Sequence, residues 1–271
     1  MILTSIVSKT PGLETRLMQA WHYDPADDLD QPLLERLRHF PRQPDMLVYG
    51  VRSIAAILIR GWLRLYHRLT ITGRENLPLD RSFVLVANHA SHLDTLCLLS
   101  ALPLGKLHRA FPAAARDYFF VSAPRLLAAA IVVNALPFER KIHARQSLGL
   151  CRQLLENPGN ILLLFPEGTR SVTGEVGEFK PGVGLLVADT PHSIVPCYIR
   201  GAFGAWRKGS WFPKPWRVQL TIGKPRSYAD RERSVASATQ ISQELREAVL
   251  ALAADSAGSE TRMASEQEIR S

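Results

Sequence analysis

Two polar stretches of the chain each follow directly on an apolar run. "NHASHLD" (residues 88–94) comes after "FVLVA", and "PEGTRS" (166–171) comes after "ILLLF". An imidazole and a carboxylate in one short turn can do general-base work, because the carboxylate fixes the tautomer and stabilises the imidazolium formed on proton uptake. His89 and Asp94 are five residues apart, which on a continuous helix would turn them about 140° from each other. They meet only if His89 lies on the loop and Asp94 in the first turn of the next helix, with Ser91 as a candidate N-cap. His92 is the rival base, but its spacing of two from Asp94 suits neither a helical contact nor this loop-to-helix geometry. An incidental polar turn is the plainer reading of the same residues. In the second stretch, Gly168 lets a ligand approach the backbone closely. Glu167 and Arg170 flank it, and the planar guanidinium of Arg170 suits a phosphate. Arg140 and Lys141 in "LPFERK", and Lys180 next to "PGVG", offer further cations, although surface cations are ordinarily just solvated.

Short, continuously apolar runs that alternate with helical ones must hold these residues. "FVLVA", "ILLLF" and "SIVPCYI" read as strands. "LDTLCLLSAL" and "ARQSLGLCRQLLEN" have helical patterning, and "RVQLTIGKP" reads as a late strand at the sheet edge. Strands apolar on both faces indicate a sheet covered on both sides, hence an α/β domain with a mostly parallel or mixed sheet. In such a sheet ligands sit beyond the carboxyl ends of the strands, where His89 and the "PEGTRS" turn both fall.

The organisation predicted around that sheet has five parts. A polar segment (1–45) ends in the Pro-punctuated "HFPRQPD"; an amphipathic helical segment follows (46–74), with "ITGRENLPLDRS" as a loop. The α/β domain spans 75–230, a C-terminal helix 231–254, and a Ser/Glu-rich tail of disordered composition 255–271. Three scattered cysteines, Cys97, Cys151 and Cys197, form no CxxC pair, which argues against a disulfide framework or a zinc site and fits a reducing compartment. Neither a secretory signal pattern nor an uninterrupted apolar span of membrane-crossing length stands out.

The excess of 33 Lys+Arg over 25 Asp+Glu points to an anionic partner: nucleic acid, a phospholipid surface or an acidic carrier. Two stretches bear on the choice. In "MLVYGVRSIAAILIRGWLRLYHRL" (46–69), Arg60, Arg64 and Arg68 are four apart and form one stripe beside an apolar face with Ile57, Leu58, Trp62 and Leu65. This pattern fits a helix lying in a lipid headgroup layer or a domain helix with a solvated edge. In "RGAFGAWRKGSWFPKPWR" (200–217), Trp206, Trp211, Phe212 and Trp216 interleave with Arg207, Lys208, Lys214 and Arg217, without an acid. A headgroup region, stacked nucleic-acid bases and a core cap would each fit that composition.

Taken together and in this order, the two polar stretches resemble the glycerolipid acyltransferases, the family of the 1-acylglycerol-3-phosphate acyltransferases. The first family block, N-H-x4-D, is met at Asn88, His89 and Asp94, and the third, FPEGTRS, at Phe165 to Ser171 without departure. The fourth, centred on V-P, is met at Val195-Pro196, with Cys197 in place of an aliphatic residue. The second, G-x-x-F-I-x-R, is irregular: Asn134 stands for Gly, Pro137-Phe138 for Phe-Ile, and only Arg140 holds. The resemblance spans roughly residues 75–225. It implies that His89 is the general base, oriented by Asp94, for attack of a lysophospholipid hydroxyl on an acyl thioester. It further implies acceptor binding by Glu167, Gly168, Thr169 and Arg170, with Arg140 and Lys180 as phosphate contacts. The implied product is phosphatidic acid and the implied donor acyl-CoA or acyl carrier protein, with no other cofactor, no metal and no nucleic acid. Both substrates carry long chains, so the expectation is a protein lying on an anionic bilayer's cytoplasmic face without crossing it. Another lyso-lipid acceptor, or a non-catalytic binding protein on the same scaffold, is the alternative.

Overall fold

The computed structural model describes residues 46–115, 134, 136–138 and 144–268, all within the second of two units, Met1–Gln43 and Pro44–Ser271. The polar segment 1–45, Arg140, Lys141 and most of the apolar run 125–138 lie outside the described residues. The chain enters through α1 (Met46–Tyr66) and then forms β1 (Thr70–Thr72), β2 (Phe83–Ala87), α2 (Asp94–Ala101), β3 (Ala110–Ala115) and β4 (Leu136–Phe138). It continues through α3 (Ala144–Glu156), β5 (Ile161–Leu164), α4 (Gly182–Val187), β6 (Ser193–Arg200), α5 (Ala202–Trp206), β7 (Gln219–Ile222) and α6 (Val235–Glu268). Among the described residues the strands form one seven-stranded sheet in the order β1-β7-β6-β2-β5-β3-β4. Every pairing is parallel except β6 with β7, so the sheet is mixed, as the apolar runs predict.

β2 lies at the centre. Its register, Phe83 opposite Ile161 on one side and Ser193 on the other, ends β2 and β5 level with each other. The two polar stretches therefore leave the same edge of the sheet from adjacent strands. All five residues of β2 are buried, as a strand covered on both faces requires. One contiguous core joins Leu63 of α1, Phe83, Leu85, Leu93, Leu98, Leu163, Val195 and Leu220. Asn88 extends the β2–β6 seam past its last residue pair. Its amide donates to the Ile199 carbonyl (3.0 Å), and its Oδ1 accepts the Ile199 N–H (2.8 Å). The first turn of the site thus starts from a backbone position fixed by two hydrogen bonds.

Several expectations are corrected. β7 is not an edge strand; β1, read from sequence as part of a loop, covers it. Three residues, "TIT", are too few for a periodicity to show. The segment predicted helical to residue 74 stops at Tyr66: Arg68 enters the left-handed region (φ 48°), and the Leu69 N–H returns to the Leu63 carbonyl. α6 continues past residue 254, where composition predicts disorder, to Glu268. Ala, Glu, Gln, Met and Arg are strong helix formers, and no proline interrupts them.

The arginine stripe of α1 is also not uniformly solvated. Arg60 turns inward and caps the end of α2, donating to the carbonyls of Leu99 (3.2 Å) and Leu102 (2.5 Å). Arg52 is buried, donates to Asn134 Oδ1 (3.1 Å), and its pKa is lowered to about 10 by that burial. Asn134 itself has φ 56°. Where the acyltransferase pattern has glycine, the chain turns left-handed with asparagine, the residue that next best tolerates that region. Its side chain then does what glycine could not, bridging Arg52 to the carbonyls of His108 and Ala110 (3.1 Å each).

Candidate active site

His89 sits on the loop after β2 and Asp94 opens α2, the arrangement that the spacing of five demands. His89 Nδ1 lies 2.8 Å from Asp94 Oδ2. The same oxygen accepts the backbone N–H groups of Ala90 (2.7 Å) and Ser91 (2.8 Å). Asp94 is fully buried, and its other oxygen has no hydrogen-bond partner. Since a carboxylate only accepts, Nδ1 carries a hydrogen, and in the neutral ring the lone pair is then on Nε2. The His89 ring stacks on Phe165, centroids 4.1 Å apart and planes 16° apart, which fixes the remaining side-chain rotation. Its side chain is 18% exposed, so the reactive edge remains reachable.

Ser91 is not the N-cap, since no side chain caps α2. Its hydroxyl instead donates to the Trp206 carbonyl (2.8 Å) and accepts the Leu93 N–H (3.1 Å).

The second loop locks onto the first. The His89 N–H donates to Glu167 Oε1 (2.8 Å), and the Ser171 N–H donates to the His89 carbonyl (2.7 Å). Glu167 is buried, and burial raises its carboxyl pKa. Its Oε1 ties the second loop to the backbone of His89. Gly168, at φ 73°, gives Lys180 its place: a Cβ there would lie 2.6 Å from the Lys180 ammonium. Thr169 and Lys180 are exposed, and Arg170 is half-buried. Cations thus gather beside the histidine, on the loop that leaves the neighbouring strand.

His92 sits against a cation where His89 sits against a carboxylate. Arg170 Nη1 lies 2.8 Å from its Nδ1, and its ring stands 5.0 Å from Trp206. Burial first, then the Arg170 charge, pushes its pKa down to about 4. The three cysteines are buried, with thiol pKa values raised by that burial, Cys151 to about 12, so none of them is poised as a nucleophile. Among the described residues no group of three or more His, Cys, Asp or Glu side chains could share a metal ion. Phe165, Asn88 and the Trp206 carbonyl belong to the site although their types suggest no chemistry. Asn88 and Phe165 fall within the first and third family blocks, whereas no signal in the sequence marks the Trp206 carbonyl.

Four histidines, His67 buried and the others half-buried, carry a pH prediction. Burial lowers the pKa values of His67, His92, His108 and His192, so the unfolded chain binds protons that the folded chain refuses. Stability must then fall as pH drops below about 6.5, for His92 down to about 4. Glu167, shifted upward, acts in the opposite sense. Melting temperatures at pH 7.5 and 5 should fall less for His92→Gln than for the wild type; equal losses would remove His92 from this account.

A half-buried histidine held by a buried aspartate thus stands at the carboxyl edge of a mixed α/β sheet, with a cationic loop beside it. An acyltransferase family model matches residues 68–200. The chloroplastic 1-acyl-sn-glycerol-3-phosphate acyltransferase LPAT1 of Arabidopsis thaliana is 36% identical over 164 residues, 59% of this chain and 44% of that protein. A probable 1-acyl-sn-glycerol-3-phosphate acyltransferase of Mycoplasma pneumoniae is 30% identical over 138 residues, 51% of each chain. The crystal structure of the 1-acyl-sn-glycerophosphate (LPA) acyltransferase PlsC from Thermotoga maritima superposes with a TM-score of 0.58 at 25% identity, covering 76% of this chain and 80% of that one. The chain spans about half the length of the curated relatives it matches. Over residues 68–200 it is similar to the acyltransferases that these comparisons name.

Proposed function

We propose that this protein transfers an acyl group from a thioester, acyl-CoA or acyl carrier protein, to the free hydroxyl of 1-acyl-sn-glycerol 3-phosphate, forming phosphatidic acid. The observation that carries this reading is the 2.8 Å contact between His89 Nδ1 and Asp94 Oδ2, with the Arg170 loop hydrogen-bonded to the same backbone. His89 Nε2 takes the proton of the acceptor hydroxyl, and Asp94 stabilises the imidazolium. The alkoxide-like oxygen attacks the thioester carbonyl, forming the new C–O bond. Collapse of the tetrahedral intermediate breaks the C–S bond, and the imidazolium returns its proton to the departing thiolate. No cofactor besides the thioester co-substrate enters the scheme. Arg170 and Lys180 hold the acceptor's phosphate, with Arg140 of the irregular second block as a further contact.

Arg170→Ala should raise KM for lysophosphatidate far more than KM for the donor, since a charge-assisted contact contributes about 1.5–3 kcal/mol. Kinetics with each substrate varied in turn checks this. Equal losses for both substrates would mean that the loop has collapsed, and the phosphate assignment would fall.

The acceptor and the acyl chain reside in a bilayer, and two surfaces of the chain suit one. On α1, Val51, Ile54, Leu58 and Leu65 are exposed at spacings of three, four and seven, one apolar stripe facing outward; Leu65 is 83% exposed. On the loop after α5, Trp211 is 87% and Phe212 74% exposed, flanked by exposed Arg207, Lys208, Lys214 and Arg217. The Tyr66 hydroxyl at the end of α1 donates to the Pro213 carbonyl (3.2 Å), making the two surfaces neighbours. Apolar groups ringed by cations match an anionic bilayer, here the cytoplasmic face, better than nucleic acid. Among the described residues no helix is long and apolar enough to cross a membrane. Trp206 does not share this role: it packs on the core, and its carbonyl holds the His89 loop.

Trp211→Ser with Phe212→Ser should therefore weaken sedimentation with anionic vesicles and lower turnover of bilayer substrate, while a short soluble acceptor is turned over nearly as before. Added salt should weaken binding further, because the cationic share is screened beyond roughly 8–10 Å. Unchanged vesicle binding by a folded variant would move the contact to α1 alone.

A further inference from the structure

His92 is left without a task by the proton transfer, yet its side chain is held at the rim of the site from two sides. Its ring rests against Trp206, its own N–H reaches the Trp206 carbonyl (3.3 Å), and Arg170 Nη1 lies 2.8 Å from Nδ1 and 2.5 Å from Nε2. A guanidinium has only donors and a neutral imidazole offers one lone pair, so Arg170 Nη1 is hydrogen-bonded to one ring nitrogen and merely close to the other. Burial and the Arg170 charge hold the imidazole in that neutral form at physiological pH. Asp94 draws the His92 pKa upward, but less than burial, Arg170 and His89 lower it.

We propose that His92 is a positioning residue for the acceptor: its neutral imidazole accepts an N–H from Arg170 and aims the guanidinium at the acceptor's phosphate, outside the path of the proton. The inference rests on the reading of Arg170 as a phosphate contact. A carboxylate in place of His92 would orient Arg170 equally well, but it would neutralise the charge and compete with the phosphate. A neutral acceptor orients the cation and leaves its full charge for the ligand. The contact is also a third link between the two loops, after His89 with Glu167 and Ser171 with His89. The base and the phosphate contact are thereby held in one frame, so that an acceptor bound through its phosphate brings its hydroxyl to a fixed place relative to His89.

The test uses the full-length protein with lysophosphatidate in mixed vesicles and an acyl thioester donor. His92→Phe keeps the packing against Trp206 and removes the lone pair. It should raise KM for lysophosphatidate about tenfold, with the smaller part of the loss in kcat and with KM for the donor unchanged. His92→Gln, which retains an acceptor oxygen, should recover most of that loss. In an Arg170→Ala background, His92→Phe should add nothing further. His92→Ala carries the same expectations if the phenylalanine variant does not fold. A loss confined to kcat, equal rises in both KM values, failure of glutamine to rescue, or additive effects with Arg170→Ala would each overturn the assignment. If Arg170→Ala itself leaves the acceptor KM unchanged, the phosphate reading fails first. If it raises that KM and His92→Phe does not, only the role of His92 fails.

Discussion

His89→Ala should lower acyl transfer by about 10² to 10⁴, the usual loss on removing a general base, while folding and vesicle binding persist. Persistence follows from the contacts. The His89 backbone, not its ring, donates to Glu167 and accepts from Ser171, so the two loops stay joined when the imidazole is gone. The ring contributes its stack on Phe165 and the single bond to Asp94, and neither supports the sheet. His92→Ala should leave more turnover than His89→Ala. If the order were reversed, with His92→Ala inactive and His89→Ala near normal, the base would have been assigned to the wrong histidine. Single-turnover rates with donor and acceptor saturating make the comparison directly, because they remove effects on binding.

Asp94→Asn should be comparably severe, on the order of 10⁴ in turnover, the loss known for a buried aspartate that orients a catalytic histidine in a triad. An asparagine oxygen can still accept from the Ala90 and Ser91 N–H groups, so the turn survives. The amide has no charge with which to stabilise an imidazolium. The same oxygen serves Nδ1 and both N–H groups, so the amide that holds the turn loses only the charge, and flipping it to reverse the tautomer would orphan both N–H groups. Asp94→Ala differs in kind: it orphans two buried N–H groups, each costing about 1–3 kcal/mol. Melting curves should therefore separate the two variants, the asparagine form near the wild type and the alanine form well below it. An asparagine variant with near-normal turnover would remove Asp94 from the proton transfer and leave it a purely structural role.

The central strands were legible because burial on both faces leaves a run of apolar residues with no polar interruption, as in "FVLVA" and "ILLL". The His89–Asp94 contact was legible for a stricter reason: a spacing of five excludes a continuous helix and leaves one geometry. What escaped the sequence depends on partners distant in the chain. β1 exists because β7 offers it an edge, and three residues have no periodicity to announce that. Arg60 reads as one of a solvated stripe until the end of α2 presents two carbonyls to it. Trp206 reads as a third membrane aromatic until its carbonyl is found holding Ser91, 115 residues away. Asn134 looked like a departure from the acyltransferase pattern, yet its φ of 56° preserves the backbone turn that glycine would make there. Arg140, the arginine of that same block, lies outside the described residues and stands on the resemblance alone.

The most direct test of the central claim is transfer of a labelled acyl group from acyl-CoA, and separately from acyl carrier protein, to lysophosphatidate in vesicles, with the purified wild type and His89→Ala side by side. The account predicts labelled phosphatidic acid with the wild type from at least one donor, and a rate lower by about 10² or more with the variant. Formation of phosphatidic acid by both proteins at the same rate, or by neither from either donor, would contradict it.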